Sequence, residues 1–362
     1  MPREPLEAII LVGGQGTRLR PLTLSAPKPL LPTAGVPFLA HLLTRAASSV
    51  VTHVVMATCY KAEMFASVLG DGTQFGLSID YVQEEQPLDT AGGIRNAAGA
   101  LRGSGAADPV VVLNSDILSG HDLGAQVDLH VKSDAAATLH LVEVPDPSRF
   151  GCVPTDESGR VTAFLEKTPE PVTSQINAGC YVLRREVIDQ IPAGRRVSVE
   201  RETFPGLLAD GANVRGYVDS SYWLDMGTPE SFVRGSADLV MGVAPTAALP
   251  GPVGTGLILP DASVHAGAVI EGGATIGAGA TVADRARVDG SVLFDGARIC
   301  EGARVVRSVI GAGAIIGADA VVTDAVIGDG ASIGARCELT AGIRVWPSVT
   351  LPDGGVRFSA DV

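Results

Sequence analysis

A chain of 362 residues with 46% apolar composition is long enough to fill two domain cores. Its formal net charge of −13 argues against a surface that coats nucleic acid or binds an anionic membrane, so any cations that meet an anionic substrate must be local. No apolar run approaches the roughly 20 residues that span a bilayer, and no long apolar segment follows a basic start, so a cytoplasmic protein is expected. Cys59, Cys152, Cys180, Cys300 and Cys337 form no zinc or CxxC spacing and read as small buried hydrophobes.

In chain order, residues 8 to 12 form a continuous apolar run suited to a strand buried on both faces. Gly13, Gly14 and Gly16 follow, leaving backbone N–H groups open to an anion, with the adjoining Leu11 and Thr17 flanking the turn. Arg18 can fork onto phosphate oxygens, and Lys28 adds a second positive charge. This turn is not a P-loop, because Thr17-Arg18 stands where Gly-Lys-Ser/Thr would need to finish. It is not a dinucleotide fingerprint either, since Leu19 occupies the place of the third small residue.

Strand-like runs at 8–12, 50–57, 110–113 and 138–144 alternate with helix-like stretches at 38–48, 61–69 and 91–101. The alternation predicts an α/β, Rossmann-like domain over 1–241 with a mostly parallel sheet. Ligands in such sheets sit beyond the carboxyl ends of strands, which is where both the glycine turn and Asp116 fall.

Residues 242–256 read as a linker rich in Gly, Pro and Ala. From 258 an aliphatic residue recurs every six positions, with the step shortening to five at 288/293, 305/310 and 322/327. That 17-residue super-period predicts a triangular parallel β-helix of about five turns over 257–352, with a tail at 353–362. The aliphatic residue is expected inside and the small residue two places before it, such as Ala280 or Ala286, at the corner. Hexapeptide coils also build acyltransferases around a histidine base, and His265 is the one histidine of the repeat. No long insertion interrupts the register to hold an acyl donor, so assembly into a homo-oligomer through the coil, or regulation, is the better expectation.

Gly-Gly-x-Gly-Thr-Arg-Leu-x-Pro-Leu-Thr at 13–23 and Pro-Lys-Pro-Leu-Leu-Pro at 27–32 resemble the signature of the sugar-1-phosphate nucleotidyltransferases. The resemblance continues through Leu88–Gly92, Asn114-Ser115-Asp116, Phe164–Lys167, Asn177-Ala178-Gly179 and Trp223–Pro229. The opening Leu-Val-Gly-Gly is most similar to the GDP-mannose pyrophosphorylase branch. In that family the catalytic domain carries a left-handed β-helix in many members. The resemblance implies direct displacement: the phosphate oxygen of mannose 1-phosphate attacks the α-phosphorus of GTP and expels pyrophosphate, with Mg2+ held by Asp116 and Asp225.

It further implies Arg18 on the β/γ-phosphates, Lys28 on phosphate near the α-phosphorus, and Lys167 on the sugar phosphate. Glu166 would accept sugar hydroxyls beside Asn177 and Gly179, with Gly151 allowing close approach of the ring. Leu88–Gly93 matches a loop lying against the base, with Asp89 where glycine is common and Gly92 beside it. Asp tolerates a left-handed backbone, and Asp89, Glu84 or Glu85 could accept from guanine. Arg20, just past the Gly-Thr-Arg-Leu core of the signature, reads as solvated. Ser198–Pro205 also matches the family, and is expected mostly to pack the sugar lobe, with its two glutamates, Glu200 and Glu202, ordering loops near the second metal carboxylate. Two other readings stand beside this one: UTP or dTTP with glucose 1-phosphate, and a non-catalytic regulatory paralogue.

Overall fold

The computed structural model describes residues 5–49, 51–103, 105, 108–165 and 170–356. The chain divides into two compact units, one of Met1–Gly14 with Leu42–Trp223, the other of Gln15–His41 with Leu224–Val362.

The first unit is built on a seven-stranded sheet: β1 (Leu6–Leu11), β2 (Val51–Thr58), β3 (Ser78–Gln83), β4 (Pro109–Asn114), β5 (Ala137–Glu143), β6 (Gln175–Arg184) and β7 (Val214–Val218). Its order is β7-β5-β6-β4-β1-β2-β3. Four pairings are parallel (β1 with β2 and β4, β2 with β3, β5 with β7), and β6 runs antiparallel to both β4 and β5. The Rossmann-like, mostly parallel sheet expected from the alternation is therefore present. Ala8, Ile9 and Ile10 are fully buried, as a central strand covered on both faces requires. Helices α1 (Phe38–Ser48), α2 (Ala62–Leu69) and α3 (Asp89–Ala97) match the expected stretches, although α3 begins two residues early. Helix α4 (Leu123–Lys132) starts at an Asp122 carboxylate that accepts from Ala125 N at 2.9 Å, and the short helices α5 (Arg185–Gln190) and α6 (Phe204–Ala209) follow later in the chain.

The periodicity did not reveal β6. Asn177, Ala178 and Gly179 interrupt its apolar pattern where the β5–β6 register shifts between Leu139 and Leu141.

In the second unit, helix α7 (Pro229–Val240) opens with a capping box between Thr228 and Ser231. Residues 256–351 then form short parallel strands in three ladders of six, six and five strands, consistent with a left-handed β-helix. Val292 pairs with Val309 and Val309 with Val326, each 17 residues on, which is the super-period read from the sequence. The aliphatic series from Ile276 to Leu339 lies in the core.

Ala280, Ala286, Ala297 and Ala303 each follow a turn and precede a short strand, as expected of corner residues, and are fully buried in the core beside the aliphatic residues. Ile258 is in parallel register with the core residue Ile276, and its 52% exposure reflects its place in the terminal strand of the ladder. The coil meets α7 closely at Gly273, where an added Cβ would come within 2.6 Å of Ala237 O. Ser236 on α7 bonds Ala34 N at 2.9 Å and lies 3.4 Å from Thr275 Oγ1.

Candidate active site

Two of the blocks leave the sheet of the first unit at one edge. Leu11 is in register with Asn114, and Ser115 N donates to Leu11 O at 3.2 Å, so Gly13, Gly14 and Asp116 all follow the carboxyl ends of adjacent strands. Gly13 and Gly14 are exposed. A Cβ on Gly14 would meet no atom within 4 Å, and one on Gly13 only Cys59 at 3.6 Å. Neither glycine is required by packing, which leaves approach of a ligand to the backbone as the use for a bare turn. Asp116 is half-buried.

The loop expected to lie against a base is firmly built. Asp89 has φ +63°, the left-handed backbone its residue type tolerates. Its carboxylate accepts from Thr90 N at 2.9 Å and from Arg201 Nη2 at 3.1 Å, so both oxygens already have donors. Glu84 is buried, accepts from Leu88 N at 2.9 Å, and has its carboxyl raised above the ordinary value by burial, with the nearby Asp89 charge adding to the effect. A Cβ on Gly92 would strike Arg195 O at 2.7 Å and Leu88 Cβ at 2.8 Å, so its missing side chain serves packing.

On the sugar side, Asn177 spends its amide internally: Nδ2 donates to Tyr181 OH at 2.8 Å, and Oδ1 accepts from Gly179 N at 3.0 Å. Gly179 has φ +77°, and a Cβ there would lie 3.0 Å from Asn114 Nδ2 and Ile117 Cγ1. Gly151, at φ +79°, also needs glycine. Trp223 closes this side, donating to Ala178 O at 3.0 Å and packing edge-on against Phe150. Glu166 and Lys167 lie outside the described residues.

A carboxylate not singled out as a site residue joins these two regions. Glu200 accepts from Thr90 Oγ1 at 3.0 Å, from Ser198 Oγ at 3.1 Å and from Tyr181 OH at 3.4 Å, and Thr90 Oγ1 in turn accepts from Val199 N at 2.8 Å. The Ser198–Pro205 block was its signal in the sequence, although spacing alone could not tell a packing segment from a hydrogen-bonding hub.

The second unit holds the rest of the signature. Gly16, at φ +60°, packs against Thr23 and Lys28: a Cβ would lie 2.9 Å from Thr23 Cγ2 and 3.0 Å from Lys28 Cβ. It is a structural glycine, unlike Gly14. Thr17 and Arg18 are exposed on the following 3-10 turn, whereas Lys28 is 8% exposed. Arg18 and Asp225 both flank Gly227, where a Cβ would sit 2.6 Å from Arg18 Nη2 and 2.8 Å from Asp225 Oδ1. Gly227 thus makes room for a guanidinium beside a carboxylate. Arg20 is exposed, as expected of a solvated side chain, and its main-chain carbonyl accepts from Arg344 Nη1 at 3.0 Å. His265 is exposed and pairs with Asp284 at 3.0 Å.

Among the described residues, no three His, Cys, Asp or Glu side chains gather as a resident metal site would require. No helix among the described residues is long and apolar enough to cross a membrane.

A family model described as nucleotidyl transferase matches residues 7–241, and one described as the GMPPB C-terminal domain matches residues 253–333. The chain is 58% identical, over 100% of both chains, to mannose-1-phosphate guanylyltransferase of Mycobacterium tuberculosis. It is 36% identical to mannose-1-phosphate guanylyltransferase 1 of Arabidopsis thaliana, over 74% of this chain and 78% of that one. Among solved structures it is similar to HddC from Yersinia pseudotuberculosis complexed with GMP-PN, with a TM-score of 0.55 and 26% identity over 65% of this chain and 99% of that one. With its bare glycine turn, its Arg18–Gly227–Asp225 cluster and a family match across most of its length, this chain belongs to the nucleotidyl transferase family of enzymes.

Proposed function

We propose that the enzyme transfers a guanylyl group from GTP to mannose 1-phosphate, releasing GDP-mannose and pyrophosphate. The observation that carries this reading is the 58% identity, without truncation of either chain, to a protein named for that reaction. The HddC complex with GMP-PN supports a guanine nucleotide in this fold. The regulatory-paralogue reading is disfavoured because Arg18, Lys28, Asp116, Lys167 and Asp225 are all retained.

The sugar phosphate oxygen forms the new P–O bond to the α-phosphorus while the bond to the β-phosphate bridging oxygen breaks. No protein nucleophile is needed, so the enzyme's contribution is alignment of two polyanions and stabilisation of the departing pyrophosphate. The N–H groups at Gly13 and Gly14 receive phosphate oxygens, with Leu11, Gly16 and Thr17 shaping the turn. Arg18 holds the β- and γ-phosphates through its planar fork. Lys28, largely withdrawn from water, places a positive charge on the phosphates near the α-phosphorus.

Lys167 binds the phosphate of the sugar, and Glu166 accepts its hydroxyls. Gly151, Asn177 and Gly179 shape the ring's pocket, while the backbone at Asp89 and Gly92 supports the base. Asp116 and Asp225 are the proposed ligands of Mg2+. That ion takes one or two carboxylates and completes its octahedron with phosphate oxygens and water, so a donor set this small suits it; when bound it supplies charge neutralisation of the phosphates. The protein works in the cytoplasm as a homo-oligomer assembled through the β-helix.

Pyrophosphorolysis tests the reading. With GDP-mannose and labelled pyrophosphate the enzyme regenerates labelled GTP, and Arg18→Ala loses that exchange. Binding of GDP-mannose without exchange would instead identify a regulatory paralogue.

A further inference from the structure

Glu200 sits half-buried on the wide π-helical turn Val199–Thr203, between the first turn of α3, which carries Thr90, and β6, which carries Asn177 and Tyr181. The backbone just before this turn is fastened to the loop at Asp89. Val197 N donates to Leu88 O at 3.1 Å, and Val197 O accepts from Ala91 N at 2.9 Å and Gly92 N at 3.2 Å. On the other side Tyr181 is fully buried, with its ring edge-on to Phe204 at 5.0 Å, so its hydroxyl is held in place by packing. Glu200 therefore reaches across two fixed frames.

The proton directions at this carboxylate are set by its neighbours. Each of the three hydroxyls that meet it already accepts from an amide: Thr90 Oγ1 from Val199 N at 2.8 Å, Ser198 Oγ from Arg201 N at 3.3 Å, and Tyr181 OH from Asn177 Nδ2 at 2.8 Å. The Asn177 amide is oriented by Gly179 N, which donates to its Oδ1. A hydroxyl has one proton to give, so each gives it to Glu200: Thr90 and Ser198 to Oε2, Tyr181 to Oε1. Burial, with the Glu200 charge adding to it, raises the Tyr181 phenol well above its ordinary range and keeps that proton in place. Three converging donors call for a group that only accepts. An ionised carboxylate is one; an amide of the same shape is not.

The ends of this chain of hydrogen bonds are the two halves of the proposed site. Thr90 follows Asp89 in the loop that supports the base, and Asn177 with Gly179 shapes the pocket of the sugar ring. We propose that Glu200 is a positioning residue for the transfer: without touching either substrate, it locks the base loop to the sugar strand, so that the sugar phosphate oxygen is presented in line to the α-phosphorus. The proposal rests on the reading above for the roles of the two halves.

The test is steady-state kinetics in both substrates for the full chain and for Glu200→Gln, Tyr181→Phe and Thr90→Val, with the unfolding midpoint of each measured in urea. In Glu200→Gln the retained oxygen serves the two donors Thr90 and Ser198, which turns the new NH2 onto the Tyr181 proton. That variant is expected to raise the KM for mannose 1-phosphate about fivefold or more and to leave the KM for GTP within about twofold. Tyr181→Phe cuts the same link from its other end and is expected to give the same split, and the Glu200→Gln/Tyr181→Phe variant is expected to be no worse than either alone. Thr90→Val, on the base side, is expected to give the opposite split. Should Glu200→Gln fail to fold, Tyr181→Phe and Thr90→Val read the two splits without it.

Both KM values within about twofold of native in Glu200→Gln would overturn the proposal, as would equal rises in both KM values alongside a lowered unfolding midpoint, or effects that multiply in the double variant. The splits are read on whichever nucleotide and sugar phosphate the native chain turns over. A preference for another pair would therefore overturn the proposed substrates and leave this test decisive, whereas native turnover without the splits would overturn the role of Glu200 alone.

Discussion

His140 on β5 is buried with its ring stacked on His121 at 3.7 Å, and neither of its ring nitrogens has a hydrogen-bond partner among the described residues. Burial, then the neighbouring Arg45 charge, pushes its pKa from 6.5 down to about 3. His130 is pushed down to about 4, chiefly by burial. Above pH 6.5 both the folded and the unfolded chain hold these rings neutral. As pH falls below 6.5 the unfolded chain takes up protons that the folded chain refuses, so stability is lost from there down to the folded values. Between pH 7 and pH 5 each of the two rings costs about 1.9 kcal/mol by this linkage.

His140→Phe removes one of these terms. The assay is urea unfolding at pH 7 and pH 5, followed by Trp223 fluorescence in a Trp346→Phe background so that the signal comes from the first unit. The variant is expected to lose about 1.9 kcal/mol less than its parent between the two pH values. Packing strain from the larger ring would shift both measurements equally and cancel in that difference. Equal losses in parent and variant would refute the claim that His140 is held neutral by burial.

Gly227→Ala places a methyl against Arg18 and Asp225 and is expected to lower kcat at least tenfold with circular dichroism unchanged; native kcat would show that the cluster is not part of the chemistry. Asp89→Gly is expected to leave the preference for GTP over UTP within threefold, because the Asp89 oxygens are taken by Thr90 and Arg201; collapse of the preference would make that carboxylate a reader of the base. Ile316→Ala in the fully buried coil core is expected to cost about 2–5 kcal/mol, read by urea unfolding through Trp346 fluorescence, and a loss under 1 kcal/mol would contradict the packing described.

The strands and helices at the centre of the first unit were legible because their apolar runs are continuous and local, as at Ala8–Ile10. The β-helix was legible because its period repeats, and the same arithmetic predicted the 17-residue pairing of Val292 with Val309. Strand β6 was hidden by its bulge at Asn177–Gly179. At the site, spacing could mark Gly13, Gly14 and Gly16 but not separate them, since only the fold shows Gly14 open and Gly16 packed on Thr23 and Lys28. Glu200 and the Arg344–Arg20 bond join residues 110 and 324 positions apart in sequence, a juxtaposition that no local pattern encodes.

Pyrophosphate release with magnesium, across GTP, UTP, dTTP and ATP each paired with mannose 1-phosphate or glucose 1-phosphate, tests the central claim most directly, with Asp116→Ala as control. Turnover concentrated on GTP with mannose 1-phosphate and lost in Asp116→Ala is the predicted result. A preference for UTP or dTTP with glucose 1-phosphate, or full activity in the control, would contradict it.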